Sequence, residues 1–546
     1  MYGLKRFLLA VALILLSYFT LSAVKNHLDP NTDHKSAEEA EDALWIATSK
    51  YWLDRQACRW VGLCGLAHFH PDPAGKRRRW HRELKRTIIP KEEAPEGKIW
   101  PDIYEGDRTR LQKDVPQFVL DYAPLVHLYS GEEFWPSDLD EHLKHLVPSE
   151  NETAIPLTKV KRNIGDLHEI NNETSPRLLF LKSQDDVEDR PAWLGSNWNK
   201  PVPYPEEEEE EEIQSWSDPY AVRPTTSSSH HIIADPRLIS GSSSPSQDFL
   251  RSQPELRRAK RGTGKQDHKS DLPGYSAAAA HLVLLEKPNN ITDAFWFYFY
   301  SYNLGPQPLN IRFGNHVGDW EHSLVRFQNG VPKAIFCSAH SGGLAYAYKA
   351  VEKGGKDLKR PVLYSAMGSH AMYATPGRHP YILPFGILAD VTDKGPLWDP
   401  SLNYKAFWYN TSITHNADAQ SLPAFPSANS TGNIPDTLEL PAEPPASNSS
   451  LHVAESSVIP LNTLIPAKSN PDAAVSWFHY RGRWGDKFYT LADWRQWRFV
   501  GQYHYVNAPF GPRYKNLGRS LVCQSGGQSG CTILEELDSK KSWLGK

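Results

Sequence analysis

Nine consecutive residues, Gly314-Asn315-His316-Val317-Gly318-Asp319-Trp320-Glu321-His322, hold two carboxylic acids, two imidazoles and two glycines. Asp319 and Glu321 are two apart, so on an extended strand both carboxyls leave one face while Trp320 and His322 leave the other. Paired acids in that geometry suit a hard divalent cation, calcium or magnesium, whose ligands are oxygens. His316 lies an odd number of residues from both acids and joins them only if Gly318 supplies a turn or a bulge. The motif predicts a metal site of His316, Asp319 and Glu321. The plainer alternative is a solvated strand whose acids form salt bridges.

Two further histidines, His340 in Ser338-Ala339-His340-Ser341-Gly342-Gly343 and His370 in Met367-Gly368-Ser369-His370, each end an apolar strand-like run. Both are expected to reach the same face as ligand-binding groups, against the alternative of imidazoles bonded to backbone. Ser369 with His340 allows a nucleophile and base, but the strained G-x-S-x-G turn is missing from this block, so binding is favoured over catalysis. Near the C-terminus Arg481, Arg483, Arg495 and Arg498 alternate with Trp484, Trp494 and Trp497. Arg483 and Trp484 are the candidates there for clamping an anionic head group, the alternative being an arginine laid on the edge of a tryptophan-rich core. His142 and His145 fall three apart on a predicted helix with no carboxylate at a metal spacing, which reads as a surface helix.

The elements that must position these groups are mostly strands. Ala294–Asn303 has large aromatic residues at odd and even positions, which predicts a strand buried on both faces. Asn329-Gly330 separates two alternating apolar runs, a strong hairpin signal. Phe118–Tyr129 reads as a strand interrupted by proline, followed by a helix over Leu139–Leu146 capped by Ser137 or Asp138. Residues 36–65 show helical spacing. The fold class predicted is mainly β, a β-sandwich or jelly-roll-like domain with a few peripheral helices, an N-terminal membrane segment and two long disordered insertions.

The chain has 546 residues, 43 of them proline, and 18 Trp beside 24 Tyr concentrated in a few blocks. Its net charge of −4 supplies no basic footprint for nucleic acid, which excludes that partner class. Lys5 and Arg6 precede an uncharged apolar run from Phe7 to Val24, long enough to cross a bilayer and oriented to leave the bulk of the chain in the lumen. A single-pass anchor is favoured over a cleaved signal peptide; either exports the rest. In that oxidising compartment Cys58 with Cys64 and Cys523 with Cys531 are the natural local disulfides, leaving Cys337 alone. Sequons at Asn151, Asn172, Asn290, Asn410, Asn429 and Asn448 fit a glycoprotein.

Composition divides the chain into the membrane segment 1–24, a helical and basic region 25–115, a first globular part 116–195, and an acidic, serine-rich insertion 196–273. A central β part 274–410, a Ser/Pro/Asn-rich insertion 411–471, a C-terminal globular part 472–537 and a tail 538–546 follow. The first insertion contains the run Glu206–Glu212 and the dibasic stretch Arg258-Ala259-Lys260-Arg261, a possible processing site. The segment 75–86 is basic and reads as a solvated linker. No globular part alone has strands enough to close a sheet, so the three are expected to form one composite domain.

Seven stretches together carry a resemblance. They are YAPLVHLYSGEEFWPSD at 122–138, FWFYFYSYN at 295–303, GNHVGDWEH at 314–322, SAHSGG at 338–343, YSAMGSHAMYATPG at 364–377, GRWGD at 482–486 and GPRYKNL at 511–517. The chain resembles the fungal vacuolar protein sorting-associated protein 62 family. That resemblance implies a membrane-linked factor of the secretory or vacuolar route, connected with protein targeting to the vacuole. A second, local resemblance, of NHVGDWE to the GHRHDWE signature of necrosis-inducing NLP-type proteins, implies a β-sandwich and a divalent cation held by His316, Asp319 and Glu321. Asn315 and Gly318 depart from that signature. The resulting expectation is a lumenal, cation-dependent module binding a glycan or lipid head group, with a metal-dependent hydrolase as the alternative.

Overall fold

The computed structural model describes residues 17, 37–70, 113–150, 153–155, 164–176, 178–204, 269–340, 342–382, 388–410, 463–499, 501–524 and 531–537. Strand Ile291–Asn303 is buried at every position from Asp293 onward. Because both its odd and even residues are large and apolar, both faces of the sheet that contains it must be covered. Two cores do this: Phe295, Phe297 and Phe299 enter one, and Trp296, Tyr298 and Tyr300 the other.

Among the described residues this central sheet has eight strands. Their order is Leu464–Pro466, Tyr404–Tyr409, Ala280–Lys287, Ile291–Asn303, His316–Gln328, Val331–Ala339, Gly342–Ala347 and Ile533–Leu534. Neighbours are antiparallel, except that Tyr404–Tyr409 runs parallel to Ala280–Lys287 and Ile533–Leu534 parallel to Gly342–Ala347. A second sheet, built around Leu125–His127, contributes Val126, Leu363 and Trp398 to the core on one face. The opposite core takes Leu139 and Leu143 from a helix, Leu179 and Leu181 from a strand, and Trp477, Phe478 and Trp484 from the C-terminal part. The three globular parts thus share one interior.

The hairpin forms where Asn329-Gly330 places it. Both residues have positive φ, 52° and 74°, as a type I′ turn requires. A Cβ at Gly330 would meet Phe118 no closer than 3.4 Å, so the cost of Gly330→Ala is mainly conformational. It is expected to destabilise by about 1–2 kcal/mol, read as a lowered urea midpoint.

Other expectations are revised. The strand predicted for Phe118–Tyr129 is a short helix, Gln117–Asp121, followed by strand Leu125–His127. Pro116 starts the helix, Gln117 donates to Asp121 one turn on at 2.8 Å, and Pro124 disfavours helical geometry at Ala123. The helix Leu139–Lys144 is capped by Asp138, whose carboxyl accepts from the backbone N–H of Asp140 and Glu141. It is not a surface helix throughout. His142 is fully buried, its ring nitrogens 3.1 Å from Ser301 Oγ and 2.9 Å from the Trp484 carbonyl, and burial lowers its pKa to about 3.

At the N-terminal side, helices Ala37–Thr48 and Trp52–Val61 are clasped by buried Asp54, which accepts from the Trp45 indole and from the N–H groups of Gly65 and Ala67. The disulfides Cys58–Cys64 and Cys523–Cys531 form as the spacing predicts. The ends of each insertion meet: Gly274 N–H donates to the Val202 carbonyl at 2.7 Å, and Asn410 N–H to the Thr463 carbonyl at 2.8 Å. Among the described residues no helix is long and apolar enough to cross a membrane. The run Phe7–Val24, apart from Ser17, lies outside them, as do residues 75–86, Glu206–Glu212 and Arg258–Arg261.

Candidate functional site

Strand pairing sets Asp319 opposite Tyr300 and Glu321 opposite Tyr298, while Trp320 enters the other core, so the two acids share one face as the spacing dictates. Both are buried. Asp319 Oδ2 accepts from His370 Nδ1 at 3.0 Å and from Asn303 Nδ2 at 3.4 Å. The other ring nitrogen of His370 lies 3.1 Å from the Phe134 carbonyl and 3.8 Å from Glu132, and the ring stacks on Tyr300 at 3.7 Å. Burial by itself would lower the pKa of His370, but Asp319, Glu132 and the Phe134 carbonyl outweigh it and raise it. Glu321 accepts from Ser338 Oγ, which itself accepts from His322 N–H. Burial pushes the Glu321 carboxyl up to about 8, with Asp319 adding to the effect against Lys515, Ser338 and His340.

A further acid, Asp390, ties the remaining groups together. One of its oxygens accepts from Ser369 Oγ at 2.7 Å, and the other from His340 Nε2 at 2.8 Å and Tyr373 OH at 2.6 Å. Burial alone would raise its pKa; His340, Tyr373 and Ser369 together hold it below its usual value. Ser369 therefore gives its proton to a carboxylate rather than to an imidazole, which does not prepare it as a nucleophile. The His340 side chain is 33% exposed and forms the open edge of this otherwise buried cluster.

His340 and His370 both have positive φ, 53° and 54°. Left-handed backbone at a residue with a Cβ costs roughly 1–2 kcal/mol and is retained where the surroundings demand it. Here glycines with positive φ stand next to the strain: Gly343 after His340 and Gly368 before His370. At Gly368 a Cβ would lie 2.3 Å from the Leu304 carbonyl. Gly368 N–H also donates to Glu132, which in turn caps the N–H groups of Glu133 and Phe134. A small cavity of ≈ 90 Å³, lined by Glu132, Glu133, Gln307, Arg312, Met367 and Gly368 among others, lies beside this loop.

The predicted groups are thus divided. Asp319 pairs with His370, His340 with Asp390, and Glu321 with Ser338, side by side in one buried polar cluster, whereas His316 turns its Nδ1 onto the Gly318 carbonyl at 2.8 Å. Gly318 does adopt positive φ, 71°, but against the Trp484 backbone, where a Cβ would lie 2.2 Å from the carbonyl oxygen. Among the described residues no three His, Cys, Asp or Glu side chains are placed to hold one metal ion. The set His316, Asp319 and Glu321 is therefore not assembled as a cation cage.

Trp484 belongs to the interior and Arg483 is half-buried at its edge. Trp484 is fully buried and edge-on to Trp320, and Arg483 lies over Phe510 and donates to the Ala508 carbonyl. Trp484 is closed off from any head group by the aromatic side chains around it, while Arg483 lies on the edge of that core, the alternative its spacing also allows. Sequence reasoning missed Asp390, Ser338 and Glu132. Asp390 had a signal: it occupies a buried position of the alternating strand Leu388–Thr392, where an apolar residue is the rule.

A family profile described as Vacuolar protein sorting-associated protein 62 matches residues 289–410, the stretch that supplies the central strands and most of the network. Vacuolar protein sorting-associated protein 62 of Saccharomyces cerevisiae is 30% identical over 447 residues, covering 78% of this chain and 71% of that protein. TDA6 of the same yeast is 29% identical over 464 residues, covering 78% and 74%. The chain belongs to the vacuolar protein sorting-associated protein 62 family. A solved structure, Necrosis and Ethylene inducing Protein 2 from the causal agent of cocoa's Witches Broom disease, matches 18% of this chain and 45% of that one. Its 21% identity and TM-score of 0.14 carry no conclusion about the fold.

Proposed function

We propose that this chain is a lumenal binding protein of the vacuolar sorting route, with a β-sandwich on an N-terminal anchor. Its ligand is a glycan or lipid head group received at the edge marked by His340. One observation carries the reading: acids and imidazoles from five separate segments gather in one buried polar cluster, and two of its histidines are held in strained backbone. Strain of that kind is concentrated at sites that recognise something. Family membership supports the vacuolar route, since the yeast relative is named for vacuolar protein sorting.

Binding is favoured over hydrolysis by a serine nucleophile, because Ser369 bonds Asp390 and not His340. A divalent cation, calcium or magnesium, would have to use Asp319 and Glu321 with ligand oxygens, displacing the proton that Glu321 holds. Its affinity should then rise with pH.

The test uses the full chain in detergent or vesicles, presented with panels of glycans and lipid head groups. Wild type is expected to retain a subset and His340→Ala to lose it by tenfold or more, with Asp319→Asn reducing cation dependence. Equal retention by wild type and His340→Ala would end the assignment of this edge as the binding site.

A further inference from the structure

Away from the polar cluster, three distant parts of the chain meet at one carboxylate. Glu188, on the short helix Val187–Asp189, lies 2.9 Å from His504 Nε2 in the C-terminal part and 4.0 Å from His70 Nε2, at the end of the N-terminal helical unit 37–70. The opposite nitrogen of each ring is already committed. His504 Nδ1 lies 2.9 Å from the Arg312 carbonyl and His70 Nδ1 2.9 Å from the His68 carbonyl, and a carbonyl only accepts, so both Nδ1 atoms carry a proton. A carboxylate also only accepts. Each ring therefore donates to Glu188 only when it carries its second proton and becomes a cation.

Indoles hold both rings in place. His504 stacks on Trp497 with centroids 3.7 Å apart, and His70 stacks on Trp494 at 5.9 Å and meets Trp497 edge-on at 5.1 Å. His504 is buried, whereas the His70 side chain is 38% exposed and open to solvent protons. Burial alone would raise the pKa of Glu188; His504 and His70 hold it well below its ordinary value. Other charges surround the group. Asp186 and Asp189 flank Glu188, Asp493 lies near enough to His68 to feel its charge, and Glu38, Glu39, Glu41 and Asp42 belong to the first helix of the unit; all favour protonated rings. Arg190 and Arg312, which surround Tyr302 together with Glu188, act the other way, as do Arg498 on the paired strand and Lys50, Arg55 and Arg59 of the unit. Arg495 is paired with Asp493 and Asp186.

Among the described residues the rest of the contact between the unit and the domain is small. It comprises a two-residue strand pair, Leu63–Cys64 with Arg498–Phe499, Phe69 against Trp497 and Phe499, and a minor core in which Trp45 meets Leu491. The Cys58–Cys64 disulfide lies within the unit and does not fasten it to the domain. We infer that Glu188, His70 and His504 form a proton-operated clasp that keeps the unit 37–70 on the domain in an acidic medium and frees it near neutral pH, baring Trp497 and Phe499. Protonated rings add charged hydrogen bonds to a largely buried carboxylate, and these are lost as pH rises and the rings give up their second proton. The clasp is independent of any ligand at the His340 edge.

Hydrogen exchange of the full chain in detergent, with rates corrected for the intrinsic effect of pH, tests this. In peptides covering 61–70 and 496–500, protection is expected to fall at least tenfold between about pH 5.5 and about pH 7.5, beyond any change in a peptide over 294–303 that reports the central sheet. Glu188→Gln offers an amide N–H to a neutral ring, and is expected to keep the central-sheet protection while the step at the clasp disappears. His70→Gln, at the more exposed ring, is expected to shrink the step at least threefold. No step in wild type overturns the inference. A step kept in full by both variants does so too, because it would belong to other histidines.

Discussion

Trp320→Ala is expected to lower the unfolding free energy of the domain by about 3–5 kcal/mol. The indole is 1% exposed and lies at the junction of chain segments far apart in sequence. It stacks on Trp477 with centroids 5.7 Å apart, meets Trp484 edge-on at 5.3 Å, and touches Phe299 at 4.7 Å. Removing it opens a cavity where the central and C-terminal parts join, and such a site relaxes little because both walls belong to rigid elements. Trp320→Phe should cost clearly less. Among the described residues the indole N–H meets no hydrogen-bond acceptor, and an unpaired buried donor is itself a penalty of about 1–3 kcal/mol that phenylalanine removes. Urea unfolding followed by tryptophan fluorescence and by far-ultraviolet circular dichroism checks both points. Loss below about 1 kcal/mol for the alanine variant, or two separated transitions in wild type, would contradict a shared interior.

The same residue shows how much the sequence discloses. The alternation around Asp319-Trp320-Glu321 is local geometry, and strand pairing preserves it, so the shared face of the two acids was legible from spacing alone. The double burial of Phe295 to Tyr302 and the Asn329-Gly330 turn were legible for the same reason. What meets a face from elsewhere is not encoded by period. Asp390 reaches Ser369 and His340 only because strand Leu388–Thr392 pairs with Gly377–Ile382 and comes to rest beside two turns. His142 reads as a surface residue on a short helix until the Trp484 segment, more than three hundred residues on, closes over it. Trp484 turned inward in the same way, since interleaved arginine and tryptophan look alike whether they face a ligand or a core.

Glu321 supplies the second large effect, and it is a dependence on pH. Its carboxyl is pushed up to about 8 in the folded chain from an ordinary 4.5, first by burial and then by Asp319. Between those values the folded state holds a proton that the unfolded state has released, so stability falls as pH rises, by up to about 1.4 kcal/mol per pH unit. Below 4.5 both states are protonated and the dependence stops; above 8 the full penalty, on the order of a few kcal/mol, is present. His370 acts in the same direction, since a raised histidine contributes stability at acid pH that is lost as pH climbs through its folded value. Asp390, held low, sets the opposite limit and withdraws its contribution as pH falls toward its own depressed value. The network is therefore most stable in a mildly acidic medium such as a vacuolar lumen. Glu321→Gln copies the protonated acid and can still accept from Ser338, so it should match wild type at the acid end and exceed it at the alkaline end, with a flatter profile. Urea midpoints across the window decide this: parallel profiles for the two proteins would show that Glu321 titrates normally and that the acids of this strand are not confined together.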